Sequence, residues 1–160
     1  MRRRDKEIST REEIDAVIRE ADVCHLAFSV GDEPYVIPIS FGYDGEALYL
    51  HTAKTGKKID FIELNNRVCF ELETNVVLQT DENDACMWTF TFESVIGHGT
   101  ISELTHAEAK AHGLNQIMEH YSGRKWEMGG NALATTRVWR VAVESVTGKR
   151  SAEKPTSTKE

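Results

Sequence analysis

Two lysines stand where a helix is about to begin. The segment His51-Thr52-Ala53-Lys54-Thr55-Gly56-Lys57-Lys58-Ile59-Asp60 follows an apolar run, Ala47 to Leu50, and leads into a helix-like run from Ile59 to Leu64. The helix dipole places partial positive charge at that first turn, so cations are disfavoured there and anions are welcome. A bound phosphate supplies a reason for Lys57 and Lys58: backbone N–H groups, the dipole, threonine hydroxyls and two ammonium groups would converge on it. Gly56 would let the backbone come close. The other reading leaves both lysines as solvated surface charges. His51 ends the preceding strand, where it either hydrogen-bonds a ligand or caps the strand end.

The elements around this segment read as follows. Ser9-Thr10-Arg11-Glu12 is a capping-box pattern before Ile14, Val17, Ile18 and Ala21, which gives an amphipathic helix over about residues 10–21. Strands are predicted over 23–30, 35–41 and 46–51, with turns at Gly31-Asp32-Glu33-Pro34 and Gly42-Tyr43-Asp44-Gly45. A helix over about 56–64 precedes strands at 67–79 and 87–102. In the second of these, Trp88, Phe90 and Phe92 share a face and read as barrel core rather than a base-stacking platform. Gly97 and Gly99 suggest a bulge or bend. A second capping-box pattern, Thr105-His106-Ala107-Glu108, opens a helix with Leu114, Ile117, Met118 and Tyr121 on one stripe. An irregular glycine-rich stretch over 122–134 follows, and then a strand over about 135–147. Residues 1–150 read as one domain and 151–160 as a polar, disordered tail. The sum is a mainly β fold, an antiparallel β-barrel of about six strands with peripheral helices.

Pro38 interrupts an otherwise clean strand. Proline donates nothing to a ladder, so this strand should lie at an edge or carry a break. An edge leaves backbone groups for a flat heteroaromatic ligand, for a second subunit, or simply blunts aggregation.

Bulk properties narrow the classes. Nineteen basic against 26 acidic residues leave a net charge of −7, which argues against nucleic-acid or membrane-surface binding. No apolar run approaches the ~20 residues that span a bilayer. No secretory signal is visible, and three dispersed cysteines without a CxxC read as reduced, cytoplasmic thiols. His25, His98, His106, His112 and His120 lack metal-ligand spacing, so no metal is expected. There is no G-x-S-x-G, no G-x-G-x-x-G and no P-loop.

Taken in order, several pieces carry a resemblance. They are Arg2-Arg3-Arg4-Asp5-Lys6-Glu7-Ile8, Pro34-Tyr35-Val36-Ile37-Pro38-Ile39 with Phe41-Gly42-Tyr43, and Leu48-Tyr49-Leu50-His51-Thr52-Ala53. Gly56-Lys57-Lys58, Asn66-Arg67-Val68-Cys69-Phe70, Ser94-Val95-Ile96-Gly97-His98-Gly99 and Val146-Thr147-Gly148-Lys149 complete the set. Over residues 1–150 the chain resembles the pyridoxamine 5′-phosphate oxidase-like, FMN-binding split-barrel superfamily, and within it the nitroimidazole-resistance (Nim-type) flavoproteins. The resemblance implies a split-barrel homodimer with FMN at the subunit interface. Pro38, Ile39, Ser40 and Phe41 would lie along the isoalloxazine ring. His51, Thr52 and Ala53 would sit near the ribityl chain, and Gly56, Lys57 and Lys58 at the phosphate. Ser94 would come from a strand that contributes to the same pocket. His51 also matches a histidine placed near substrate, the one catalytic candidate. The implied activity is an oxidoreductase that reduces a small electron-poor, nitro-type molecule through reduced flavin. The alternative is a non-catalytic flavin or haem carrier or sensor. One departure is visible: relatives carry a tyrosine and a basic residue before the Ser-Val pair, where this chain has Phe90-Thr91-Phe92-Glu93.

Overall fold

In the computed structural model, which describes residues 4–151, burial with a period of two marks the strands. Cys24, Leu26 and Phe28 point into the core, as do Val68, Phe70 and Leu72, while their neighbours face outward. The elements in order are β1 (Glu7–Ile8), α1 (Arg11–Glu20), β2 (Cys24–Val30), β3 (Glu33–Ile39), β4 (Phe41–Tyr43), β5 (Ala47–Thr52), α2 (Lys57–Leu64), β6 (Arg67–Gln79), β7 (Thr89–Leu104), α3 (Ala107–Ser122), α4 (Gly130–Thr135) and β8 (Arg137–Ser151). Met1, Arg2, Arg3 and the predicted tail beyond Ser151 lie outside the described residues.

The eight strands form one antiparallel sheet in the order β3-β2-β6-β7-β8-β5-β4, with β1 pairing β8. Eight replaces the expected six for two reasons. A two-residue strand forms at the N-terminus, and the strand predicted over 35–41 breaks at Ser40. Residues before the break pair with β2, Ile39 opposite Cys24; residues after it pair with β5, Phe41 opposite Leu50. The expectation drawn from Pro38 therefore holds in both its forms, since β3 is an edge and the chain changes partner just after it.

Inside the barrel lie Leu26, Phe41, Leu48, Leu50, Phe70, Leu72, Val95 and Val141, joined by Val17 and Ile18 from α1. Gly97 makes room for this core: a Cβ there would sit 2.1 Å from the Phe70 ring. The predicted irregularity appears beside it, as a register shift between His98 and Gly99 in the β7–β8 ladder. Outside the barrel α3 covers Ala47 and Tyr49 with Ile117. It rests directly on Gly42, where a Cβ would approach the Gln116 backbone to 2.2 Å.

Several local expectations shift. The first capping box is Thr10 with Glu13: the Thr10 hydroxyl accepts the Glu13 N–H at 3.3 Å and donates to Glu13 Oε2 at 2.8 Å. The second is unused, since His106 is the N-cap of α3 and makes no side-chain cap bond. Part of the irregular 122–134 stretch is helical as α4, and β8 runs four residues past its predicted end.

The larger correction concerns Trp88 and Phe90, expected in the core. Among the described residues the β7–β8 ladder ends at Phe92 opposite Ser151, and beyond it β6 and β7 continue as a two-stranded arm. Val76, Val77, Leu78, Trp88 and Phe90 on this arm are each about half exposed. Alternation placed them on strand faces, but among the described residues no third strand covers them. Among the described residues no helix is long and apolar enough to cross a membrane, and no cluster of His, Cys, Asp and Glu could hold a metal ion.

Candidate functional site

The β4–β5 hairpin sets the first side of the site. Asp44 Oδ1 accepts the N–H groups of Glu46 (2.9 Å) and Ala47 (2.8 Å), and Gly45 supplies the positive φ of the turn, 102°. This fixes Phe41 opposite Leu50, so Ser40 stands level with His51. Seven residues earlier, at the start of β3, Glu33 meets Lys57, whose Nζ donates to Glu33 Oε1 at 2.6 Å. Residues 33–40 and 51–57 therefore run alongside one another in opposite directions. Among the described residues no ladder joins them, because β3 pairs only with β2. The seam between them is on the order of 20 Å long at the rise of an extended strand.

One end of the seam is the start of α2. Gly56 is its N-cap, with φ 134°, and makes no side-chain cap bond. The Gly56 carbonyl accepts from Ile59 (2.8 Å) and Asp60 (3.4 Å), and the first amides of the helix have no acceptor within it. Lys58 is half-buried and has no hydrogen-bond or ion-pair partner among the described residues. Lys57 is engaged differently from the expectation. Besides Glu33, its ammonium lies over the rings of Tyr35 (5.0 Å) and Phe61 (5.3 Å). The hydrogen bond it donates to Glu33 holds its pKa above the ordinary lysine value.

At the other end, Tyr121 of α3 fastens the Ser40 break. Its hydroxyl accepts the Phe41 N–H at 3.2 Å and donates to the Asp22 carbonyl at 2.8 Å. Burial pushes this phenol's pKa up. Phe41 itself points inward, fully buried and tilted against the His120 ring at 4.4 Å, so only its backbone faces the seam. Pro38 is exposed on the outer face, where it borders a cleft of about 500 Å³ with Glu20, Asp22, His25 and Glu73. Ile39 is half-buried and packs against the core. His51 is exposed, with no polar partner among the described residues, and Ala53 is exposed beside it. Thr52 turns inward: its hydroxyl accepts the Trp139 indole N–H at 2.9 Å and donates to the Ala53 carbonyl at 2.9 Å.

The structure thus gathers Ile39, Ser40, the Phe41 backbone, His51, Ala53, Gly56, Lys57 and Lys58 along one seam. It does not bring Ser94 there. That residue lies on β7, between Glu73 and Lys149 in neighbouring strands and three strands from β3 across the sheet.

Three contributors escaped the sequence reading. Glu33 falls in the turn expected over residues 31–34. Tyr121 reads as one member of a helical stripe. Arg137 carried no signal at all, yet it donates to the Lys54 carbonyl (3.4 Å) and to Glu103 (2.6 and 2.9 Å), and stacks on Trp139 at 4.6 Å. It joins the 53–56 loop to β7 and β8. Its register opposite Thr52 depends on strand pairing between residues 85 apart in sequence, which local pattern does not encode.

A family model described as pyridoxamine 5′-phosphate oxidase matches residues 10–150. The chain belongs to this pyridoxamine 5′-phosphate oxidase family. A solved structure of a candidate 5-nitroimidazole antibiotic resistance protein from Bacteroides thetaiotaomicron superposes with a TM-score of 0.79 at 31% identity, covering 90% of this chain and 86% of that one. The FAD- and haem-binding protein from Mycobacterium smegmatis superposes with a TM-score of 0.81 at 17% identity, covering 95% and 76%, which shows a shared fold. A curated relative, an uncharacterised protein from Rhizobium meliloti (strain 1021), is 32% identical over 65 residues. That match spans 41% of this chain and 42% of the relative's length. The split-barrel fold of these proteins is the eight-stranded sheet described above.

Thr52→Val tests how the family fold braces the seam. The substitution keeps the shape and leaves the buried Trp139 N–H without an acceptor, which costs about 1–3 kcal/mol. The midpoint of thermal unfolding should fall by roughly 3–9 °C. An unchanged midpoint would show that this bond does not brace the loop.

Proposed function

We propose that the chain binds FMN along the seam between residues 33–40 and 51–57 and serves as an oxidoreductase for small electron-poor molecules of the nitro type. One observation carries this reading. An open edge strand runs from a lysine-bearing helix N-terminus at one end to free-standing backbone and a histidine at the other. The residues fit the group. The first amides of α2 and Lys58 would hold the phosphate, and Gly56 lets the chain approach it. Proline at positions 34 and 38 makes the β3 edge poor in donors, and its carbonyls suit a ligand that brings its own N–H. When bound, FMN supplies the hydride and electron chemistry. The protein's part is to orient the ring against Ile39, Ser40 and the Phe41 backbone, to exclude water from its inner face through Ile39, and to present His51 to whatever occupies the outer side. The 31% identity to a candidate 5-nitroimidazole resistance protein supports the substrate class.

The same seam suits a flavin carrier or sensor, a reading favoured by the absence of any polar group orienting His51 among the described residues. Reduction by NADH or NADPH, followed by acceptor-dependent reoxidation, separates the two.

The test of the site is a pair of affinities. FMN and riboflavin, which lacks the phosphate, should bind the native chain with a clear preference for FMN. Lys57→Ala with Lys58→Ala should weaken FMN about ten- to a hundredfold, the worth of one or two charge-assisted bonds, and leave riboflavin unmoved. Equal affinities throughout would remove the phosphate assignment.

Homodimerisation belongs to the same proposal. A two-stranded ribbon is marginal in water, and the arm carries five half-exposed apolar residues, Val76, Val77, Leu78, Trp88 and Phe90, a surface that calls for cover. Ser94, remote from the seam in its own chain, would join the site only through a second copy. Sedimentation of the native chain should give a dimer, and Phe90→Asp with Val77→Asp a folded monomer. A native monomer would contradict this.

A further inference from the structure

Glu33 is the feature of the seam that phosphate binding does not call for. It sits in the Gly31–Pro34 turn region, at the first position of the edge strand, and it is an acid beside a site meant for an anion. Its carboxylate is 2.6 Å from the Lys57 ammonium. The pair is open to solvent, with both side chains more than half exposed, so it adds little to stability. The Tyr35 and Phe61 rings, 5.2 Å apart, lie together beneath the lysine ammonium, and Glu33 takes its hydrogen bond. Lys58, one residue on, has no such partner among the described residues. The two lysines that charge counting treats as equals are therefore different: one is available, and one is already neutralised.

We propose that Glu33 is a specificity-determining counter-charge that occupies Lys57 and must be displaced by the ligand's phosphate. This rests on the reading that the phosphate lies at the start of α2. Physically, a dianion approaching Lys57 meets a neutral pair rather than a cation, and it also meets the repulsion of a carboxylate within a few ångströms. Glu33 thus lowers the affinity for phosphorylated flavin and has no effect on the unphosphorylated ring. Its presence keeps the flavin exchangeable and the free site from holding stray anions.

The experiment is equilibrium binding and release of FMN and riboflavin, followed by flavin fluorescence, for the native chain, Glu33→Gln and Lys57→Ala with Lys58→Ala. The expected result is about three- to tenfold tighter FMN binding in Glu33→Gln, expressed as slower release, with riboflavin affinity unchanged. If Glu33→Gln binds FMN equally or more weakly while the lysine variant loses its FMN preference, the proposal is overturned and the phosphate site stands. If Glu33→Gln tightens both flavins alike, the effect is not at the phosphate and the proposal is likewise overturned. If the native chain shows no preference for FMN and the lysine variant changes nothing, the phosphate reading fails and Glu33 loses its role with it. The glutamine variant keeps the size of the side chain at an exposed position, and a thermal scan verifies that it folds.

Discussion

Between Ile39 and Phe41 the backbone leaves one end of the hydrogen-bonded sheet and joins the other. The two strands are consecutive in sequence, yet they terminate the β3-β2-β6-β7-β8-β5-β4 path at opposite ends. A barrel closed by hydrogen bonds has no edges; this one is joined instead by a covalent corner at Ser40. Along the rest of β3 the edge remains open, and the chain that could have closed it, residues 53–57, turns into a loop and a helix start. The core, the seam and the helix that covers β4 all follow from that corner. Tyr121 shows how tightly it is held: its one hydroxyl serves both the Phe41 amide and the Asp22 carbonyl.

Electrostatics then give the seam a direction. A chain with a net charge of −7 is a poor host for anions overall, so any anion site must be local. The start of α2 is such a place, because short-range amide and dipole attraction outweighs a distant negative field screened within about 10 Å at ordinary salt. At the opposite end the groups facing the seam are backbone, a serine and a histidine. A ligand with one charged end and one flat, hydrogen-bonding end matches this gradient. The family assignment over residues 10–150 agrees with a site of that kind.

The parts of this account legible in the sequence are those that depend on local chemistry. Pro38 announced an edge and a break because a missing N–H has the same meaning wherever it occurs. Gly97 and Gly99 announced an irregular strand for a similar reason, and the Asp44-Gly45 turn fixed a hairpin. The lysines at the start of α2 were conspicuous because they oppose the dipole. What stayed hidden depends on pairing across long sequence distance. The Thr52 hydroxyl looked available to a ligand until Trp139, 87 residues away, was found donating to it. Trp88 and Phe90 alternate as core residues do, and only the β7–β8 pairing, which among the described residues reaches Phe92 opposite Ser151, shows that they lie beyond it. Lys57 and Lys58 are equivalent in sequence and inequivalent in space, because Glu33 comes from another element.

Hydrogen–deuterium exchange of the backbone, measured with and without FMN, tests the central claim most directly. Ligand in the seam should slow exchange at the β3 edge over residues 33–41 and at the loop and first turn of α2 over residues 51–60. Protection in those two segments together, with riboflavin protecting the first more than the second, is the predicted result. Protection confined to the cleft around Glu20, Asp22 and Glu73, with the two seam segments unchanged, would contradict it.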